Sequence, residues 1–154
     1  MIKRNTIDNN KETPLLSCGV EFNGKLYIAS AQNNELYEYD CKTECLHYIT
    51  CFEKEKDIPY LYRTCVVYKE KAWFIPQLAE NIAVVDLNTF EIEYIPLKYK
   101  WIEDSVSLKC TAAGIYQSHY LYVIPCDIDS VILIDMDTKD IRTLDVRSNH
   151  EEKY

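Results

Sequence analysis

Glycine is almost missing from this chain, with 3 in 154 residues. Many turns are therefore expected to use Asn, Asp and Ser instead. Long apolar runs are missing too. No stretch of about 18 apolar residues occurs, which excludes a transmembrane helix. There is no nucleophile elbow, no Gly-rich phosphate loop and no two-His metal motif. The three histidines, 47, 119 and 150, fall in turns, outer strands or the tail. No segment has a capped 3.6-residue period, and residues 52–57 are long enough for one helical turn at most. Basic charge is in deficit, with 17 Lys and Arg against 25 Asp and Glu, for a net charge of −8. That balance argues against nucleic acid as a partner and against docking on an anionic membrane. Met1 to Asp8 lacks the apolar core of a signal peptide, and the seven cysteines are odd in number and scattered. The expectation is a cytoplasmic chain with reduced thiols and no cofactor.

What the chain does have is 47% hydrophobic residues, 27% charged residues and 13 tyrosines, a globular composition. It also repeats itself. Tyr39-Asp40-Cys41-Lys42-Thr43 returns as Val85-Asp86-Leu87-Asn88-Thr89 and again as Ile134-Asp135-Met136-Asp137-Thr138. The steps are 86 − 40 = 46 and 135 − 86 = 49 residues. Periods of that size mark repeat architectures. Within the turn, Asp can accept hydrogen bonds from the amides ahead of it, and Thr can close the turn from the other side. Three copies at equivalent places read as structural.

Around this turn the pattern predicts four strands per repeat. In the first they are Cys18–Phe22, an Asn23-Gly24 hairpin, Lys25–Ser30, Leu36–Tyr39 and Leu46–Ile49. The second gives Cys65–Tyr68, Ala72–Ile75, Ile82–Val85 and Ile92–Ile95. The third gives Ala113–Tyr116, Leu121–Ile124, Val131–Ile134 and Ile141–Leu144, with a first turn one residue longer. Second and third strands are almost continuously apolar, as for strands covered on both faces, and fourth strands alternate like exposed edges. The fold class is all-β: three four-stranded antiparallel meanders over about 17–51, 64–97 and 111–146. An arm, 1–16, precedes them and a tail, 147–154, follows. Ile2 to Ile7 is a candidate edge strand.

Meanders of this length are the unit of a β-propeller. An apolar strand, an Asn-Gly type turn, a Leu-Tyr-Ile strand and then a hydrophobic residue before Tyr-Asp-x-x-Thr resemble kelch-type blades. Pro59-Tyr60-Leu61-Tyr62-Arg63-Thr64 resembles the kelch Pro…Arg approach to the innermost strand. The resemblance covers about 17–146. It departs from kelch at the diglycine that ends the second strand, where Ala29-Ser30, Ile75-Pro76 and Ile124-Pro125 stand. It implies half of a six-bladed propeller, because propellers close with about four to eight blades. Three blades leave both terminal faces uncovered. A homodimer that completes a six-bladed ring is the expected closure, since two-fold dimers are the commonest oligomers. A different half-propeller chain, or a longer parent chain, are the alternatives. The arm could add an outer strand to a partner blade.

Cys41, Cys45, His47 and Cys51 first suggest zinc. The repeats argue otherwise. Cys41 aligns with Leu87 and Met136, and Cys51 with Leu97 and Val146, so these two read as apolar packing positions. Cys45 and His47 align with charged residues and read as exposed. Cys18, Cys65 and Cys110 read as core. No metal site is expected.

The residues that break the repeat are better candidates for function. In an up-and-down blade, the loop joining strands two and three shares an end with the connections between blades. At that end lie Asn33, Asn34, Glu80, Asn81, Asp127 and Asp129, with Tyr60, Tyr62, Arg63, Tyr99 and Trp101 in the connections. Aromatics beside carboxylates and amides on a rigid scaffold suit a binding face, although each ring could instead pack between blades. Trp101 could stack on a sugar. Arg63, at the mouth of the channel, could pair bidentately with an anionic ligand or form a structural salt bridge. The expected function is non-enzymatic binding of a protein or carbohydrate. The alternative is a glycan-processing enzyme or lectin-like binder, with Glu103-Asp104 or Asp127 and Asp129 as its carboxylates.

Overall fold

The computed structural model describes residues 5–6, 14–97, 110–126 and 130–145. After a two-residue strand β1 (Asn5–Thr6), twelve strands follow in three groups of four. Blade 1 comprises β2 (Leu16–Phe22), β3 (Lys25–Ser30), β4 (Glu35–Asp40) and β5 (Cys45–Cys51). Blade 2 comprises β6 (Tyr62–Tyr68), β7 (Lys71–Pro76), β8 (Asn81–Asp86) and β9 (Ile92–Pro96). Blade 3 comprises β10 (Cys110–Tyr116), β11 (Tyr120–Pro125), β12 (Ser130–Asp135) and β13 (Ile141–Asp145). Each blade is an antiparallel meander in sequence order, and among the described residues no strand crosses between sheets. The first strands β2, β6 and β10 are neighbours, with β6 in the middle, so they are the innermost strands. These are consecutive blades of a β-propeller.

Local chemistry explains the meanders. The two-residue hairpins have both central residues at positive φ, 53° and 75° at Asn23 and Gly24, and 46° and 60° at Lys69 and Glu70. That is the twist a two-residue hairpin requires. In blade 3, Tyr116 pairs with Tyr120, confirming the longer turn, and Gln117 and Ser118 supply the positive φ. Between third and fourth strands the repeated aspartate folds the turn. One oxygen of Asp40 accepts from the amides of Lys42 and Thr43 at 2.8 and 3.2 Å. Asp86 does the same for Asn88 and Thr89, and Asp135 for Asp137 and Thr138. The hydroxyls of Thr89 and Thr138 accept from the amides two residues on. The amide after each Asp donates to the hairpin turn beside it, at Gly24, Glu70 and His119. The two turns at this end of each blade are thus bonded together.

The core is split between the two blade interfaces. Tyr27, Ala29 and Leu36 of blade 1, with Val20 and Phe22 beside them, face Ala72, Phe74, Ala83, Val85 and Leu87 of blade 2. On its opposite face blade 2 presents Trp73, Ile75, Ile82 and Val84, with Val66 and Tyr68, to Leu121, Val123, Ile132, Ile134 and Met136 of blade 3. Alternation along β7 and β8 sends successive residues into different interfaces, which is why these strands read as continuously apolar. Each of the large side chains Trp73 and Phe74 contributes roughly 1.5–3 kcal/mol by this burial.

Two expectations need correction. The arm strand β1 pairs with β5 of its own first blade, through Asn5↔Tyr48 and Thr6↔His47, and so makes a fifth strand of that sheet. Cys41 is exposed, whereas Leu87 and Met136 at the same place are buried at 4% each. The physical reason is positional: residue 87 packs on blade 1 and residue 136 on blade 2, and among the described residues no blade lies against that face of blade 1.

Candidate functional site

The end opposite the aspartate turns carries the loops between second and third strands and the connections between blades. Its framework is hydrogen-bonded from within. Ser30, itself buried, accepts from the amides of Gln32 and Asn33 at 3.1 and 3.3 Å. Asn33 exchanges bonds with Glu35, donating at 2.8 Å and accepting its amide at 3.2 Å. The amide of Asn34 donates to Asp57, and its side chain donates to the carbonyl of Phe52. Glu55 is the keystone of the first connection. The residue is 7% exposed, and its carboxylate accepts from the amides of Glu80 and Asn81 at 2.8 and 2.9 Å, and from the Asn81 side chain at 2.8 Å. The carbonyl of Leu61 receives the three successive amides of Gln77, Leu78 and Ala79. Loop and connection are thereby made one rigid piece.

The sequence-derived candidates divide accordingly. Asn33, Asn34 and Asn81 have side chains committed to this framework, and the Glu80 carboxylate pairs with Lys56 at 3.2 Å in full view of solvent. Tyr62 is not on the face at all. It is fully buried, with its ring 4.6 Å from that of Phe52 and 5.7 Å from that of Phe74, and burial pushes its hydroxyl pKa well up. Tyr99, Trp101, Asp127 and Asp129 lie outside the described residues, as do Glu103 and Asp104. Cys41 and Cys45 are exposed, His47 and Cys51 half-buried. Among the described residues no three metal-ligating side chains gather.

Two candidates, Tyr60 and Arg63, stand three residues apart where the first connection enters the innermost strand β6. Tyr60 is half exposed and holds φ at +57°, a left-handed conformation that costs a bulky residue on the order of 1–2 kcal/mol. Its amide donates to the carbonyl of Ala31 at 3.3 Å, and the amide of Ala31 donates to Leu15. Leu15 and Leu16 are 61% and 43% exposed, so three large apolar side chains flank one short segment. Ser17 ties this segment across the blades by donating to the carbonyl of Tyr62 at 2.8 Å. Arg63 follows directly and is exposed. It occupies a β-bulge, since Tyr62 pairs with Pro76 and Thr64 with Ile75. Bulges recur at the same level in β2, between Leu16 and Gly19, and in β10, between Cys110 and Ala112. Bulges commonly re-aim side chains beside functional sites. Among the described residues no carboxylate pairs with Arg63. Cys18 and Cys65 meet just below, and the thiol contact and burial raise the pKa of Cys18 far above the ordinary range.

Sequence reasoning missed Leu15, Leu16 and Glu55. The Leu-Leu pair before the first strand was a visible signal. Glu55 carried none, because its partners lie 25 and 26 residues away.

No protein-family profile matches this chain, and no curated protein does. Solved structures do. A streptogramin B lyase is similar with a TM-score of 0.65 at 13% identity, over 95% of this chain and 45% of its own. An inactive variant of virginiamycin B lyase from Staphylococcus aureus, solved with quinupristin, gives 0.64 at 13%, over 96% of this chain and 46% of its own. The computationally designed Ika4 protein gives 0.58 at 10%, over 96% of this chain and 80% of its own. The chain therefore spans less than half the length of either lyase. Identities this low establish the class, a β-propeller, and nothing about activity.

Proposed function

We propose that this chain is a binding module of kelch-like propeller type, which engages a protein or peptide ligand at the inner rim of its loop face. The kelch-like reading rests on the Asp-x-x-Thr turn, present three times with the same bonds. The observation that carries the functional reading is Tyr60: a bulky residue held at positive φ and half exposed, next to exposed Leu15 and Leu16. Strain and exposed apolar surface both work against the folded, solvated chain, and a ligand that covers the rim recovers the second of these costs. Arg63 supplies a guanidinium for an anionic group on the same ligand, so an apolar side chain beside a carboxylate is the preferred chemistry.

A displayed random-peptide library and a glycan array test this together. Saturable peptide binding is expected, enriched in apolar-acidic sequences. Tyr60→Gly should abolish it while leaving the fold intact, because glycine accepts that backbone conformation. Arg63→Gln should remove the preference for acidic residues. Binding confined to glycans would favour the lectin-like alternative, and no binding to either would sink the proposal.

A further inference from the structure

We infer that a second copy of this chain closes the ring, by seating the free face of blade 3 on the free face of blade 1 in a head-to-tail contact made twice about a two-fold axis. The inference stands on the blade faces and is independent of the ligand reading above.

The two interfaces inside the chain provide the template. Each blade presents one face forward to the next, and register fixes which residues lie on it. Tyr27 and Ala29 of blade 1 correspond to Trp73 and Ile75 of blade 2 and to Tyr122 and Ile124 of blade 3. The last residues of the inner strands correspond as Phe22, Tyr68 and Tyr116. Phe22 packs on blade 2 and Tyr68 on blade 3, whereas Tyr116 is 59% exposed. Blade 3 therefore ends in a forward face of the same aromatic and aliphatic character, with no fourth blade against it among the described residues. The receiving face runs the other way. Leu87 and Met136 are buried under the preceding blade, and their counterpart Cys41 is exposed. Leu26, Tyr39 and Leu46 on the same face of blade 1 are half-buried, while Ile28 and Tyr37 are already buried within the chain.

Charge gives a second, independent argument. Blades 2 and 3 are joined by Glu93 and Lys139 at 2.5 Å. Register places Arg142 of blade 3 where Glu93 stands in blade 2, opposite Leu133 as Glu93 is opposite Val84. The residue corresponding to Lys139, four after the repeated aspartate and likewise at positive φ, is Glu44 in blade 1. The closing contact thus brings Arg142 to Glu44 of the second copy, the same ion pair with its signs exchanged. Both are exposed in the single chain. The three described blades of two copies make six, within the range that closes a ring, and a heterologous contact repeated twice is a closed dimer.

Molar mass in solution tests this, with variants on exposed residues that leave the chain able to fold. The wild type is expected at about 36 kDa, twice 18.1 kDa. Tyr116→Glu disables the forward face and Cys41→Glu the receiving face, and each alone is expected at the monomer mass. Mixing the two variants leaves one intact contact, Tyr116 against Cys41, and should restore a dimer; a symmetric face-to-face dimer could not be rescued this way. Glu44→Arg combined with Arg142→Glu should dimerise where either alone is weakened. A wild-type monomer, a mass that grows without limit, dimers indifferent to these variants, or failure of the mixture to associate would each overturn the inference.

Discussion

Asp40, Asp86 and Asp135 are the most regular residues of the chain, and they act locally. Each folds its turn with one carboxylate oxygen on two amides, so the charge is stabilised by backbone dipoles rather than by a cation. Those amides hold the Asp40 and Asp86 carboxyls below the usual carboxylate range. Asp137 is also held low, in its case by Lys69 at 2.6 Å and the Tyr68 hydroxyl at 2.8 Å. A carboxyl whose pKa is lower folded than unfolded stabilises fully above the unfolded pKa, and that contribution is lost as pH falls through the folded one. The thermal midpoint should therefore stay level from neutral pH to about 5 and drop as pH passes below roughly 3.9, the unperturbed Asp value. In Asp40→Asn/Asp86→Asn the midpoint should be lower at neutral pH and the acid loss shallower. Calorimetry across pH 2 to 7 checks this; an unchanged acid slope in the double variant would count against it.

At the scale of elements, the connections decide rigidity. Glu55 stitches the first connection to the loop between β7 and β8, and its removal strands three N–H donors. Glu55→Ala should cost about 2 kcal/mol, the range for hydrogen bonds to a buried charge. It should also speed amide exchange at Glu80 and Asn81 well before that at β7. Exchange that rises uniformly over blade 2 would show that Glu55 supports the whole sheet instead. The strands themselves were legible because two signals agreed. Asn23-Gly24 and the three Asp-x-x-Thr copies marked turns, and apolar runs of about six residues lay beside them. The roles of Asn33, Asn34 and Asn81 were not legible. A polar residue in a loop looks the same whether it faces a ligand or bonds a neighbouring loop, and only the fold shows that theirs are spent internally. Tyr62 differs from Tyr60 only in where the backbone turns, and that places one in the core and the other at the rim.

At the scale of the whole molecule, the closure by a second copy that we propose would couple stability to association. Folding that gains from a partner makes the midpoint depend on concentration. The thermal midpoint of the wild type should rise with protein concentration, and Tyr116→Glu should flatten that dependence. A midpoint independent of concentration in the wild type would speak against the dimer as a stabilising contact.

The sequence by itself determined the repeat, the four-stranded meander and the three-blade count, because turns and strand periodicity depend on residues a few positions apart. Only the tertiary structure decided which side chains meet across blades. It buried Tyr62 and brought Leu15, Leu16 and Tyr60 around Ala31. It also left Cys41 and Tyr116 exposed where their counterparts are covered. These outcomes depend on contacts between segments dozens of residues apart, which no local pattern encodes.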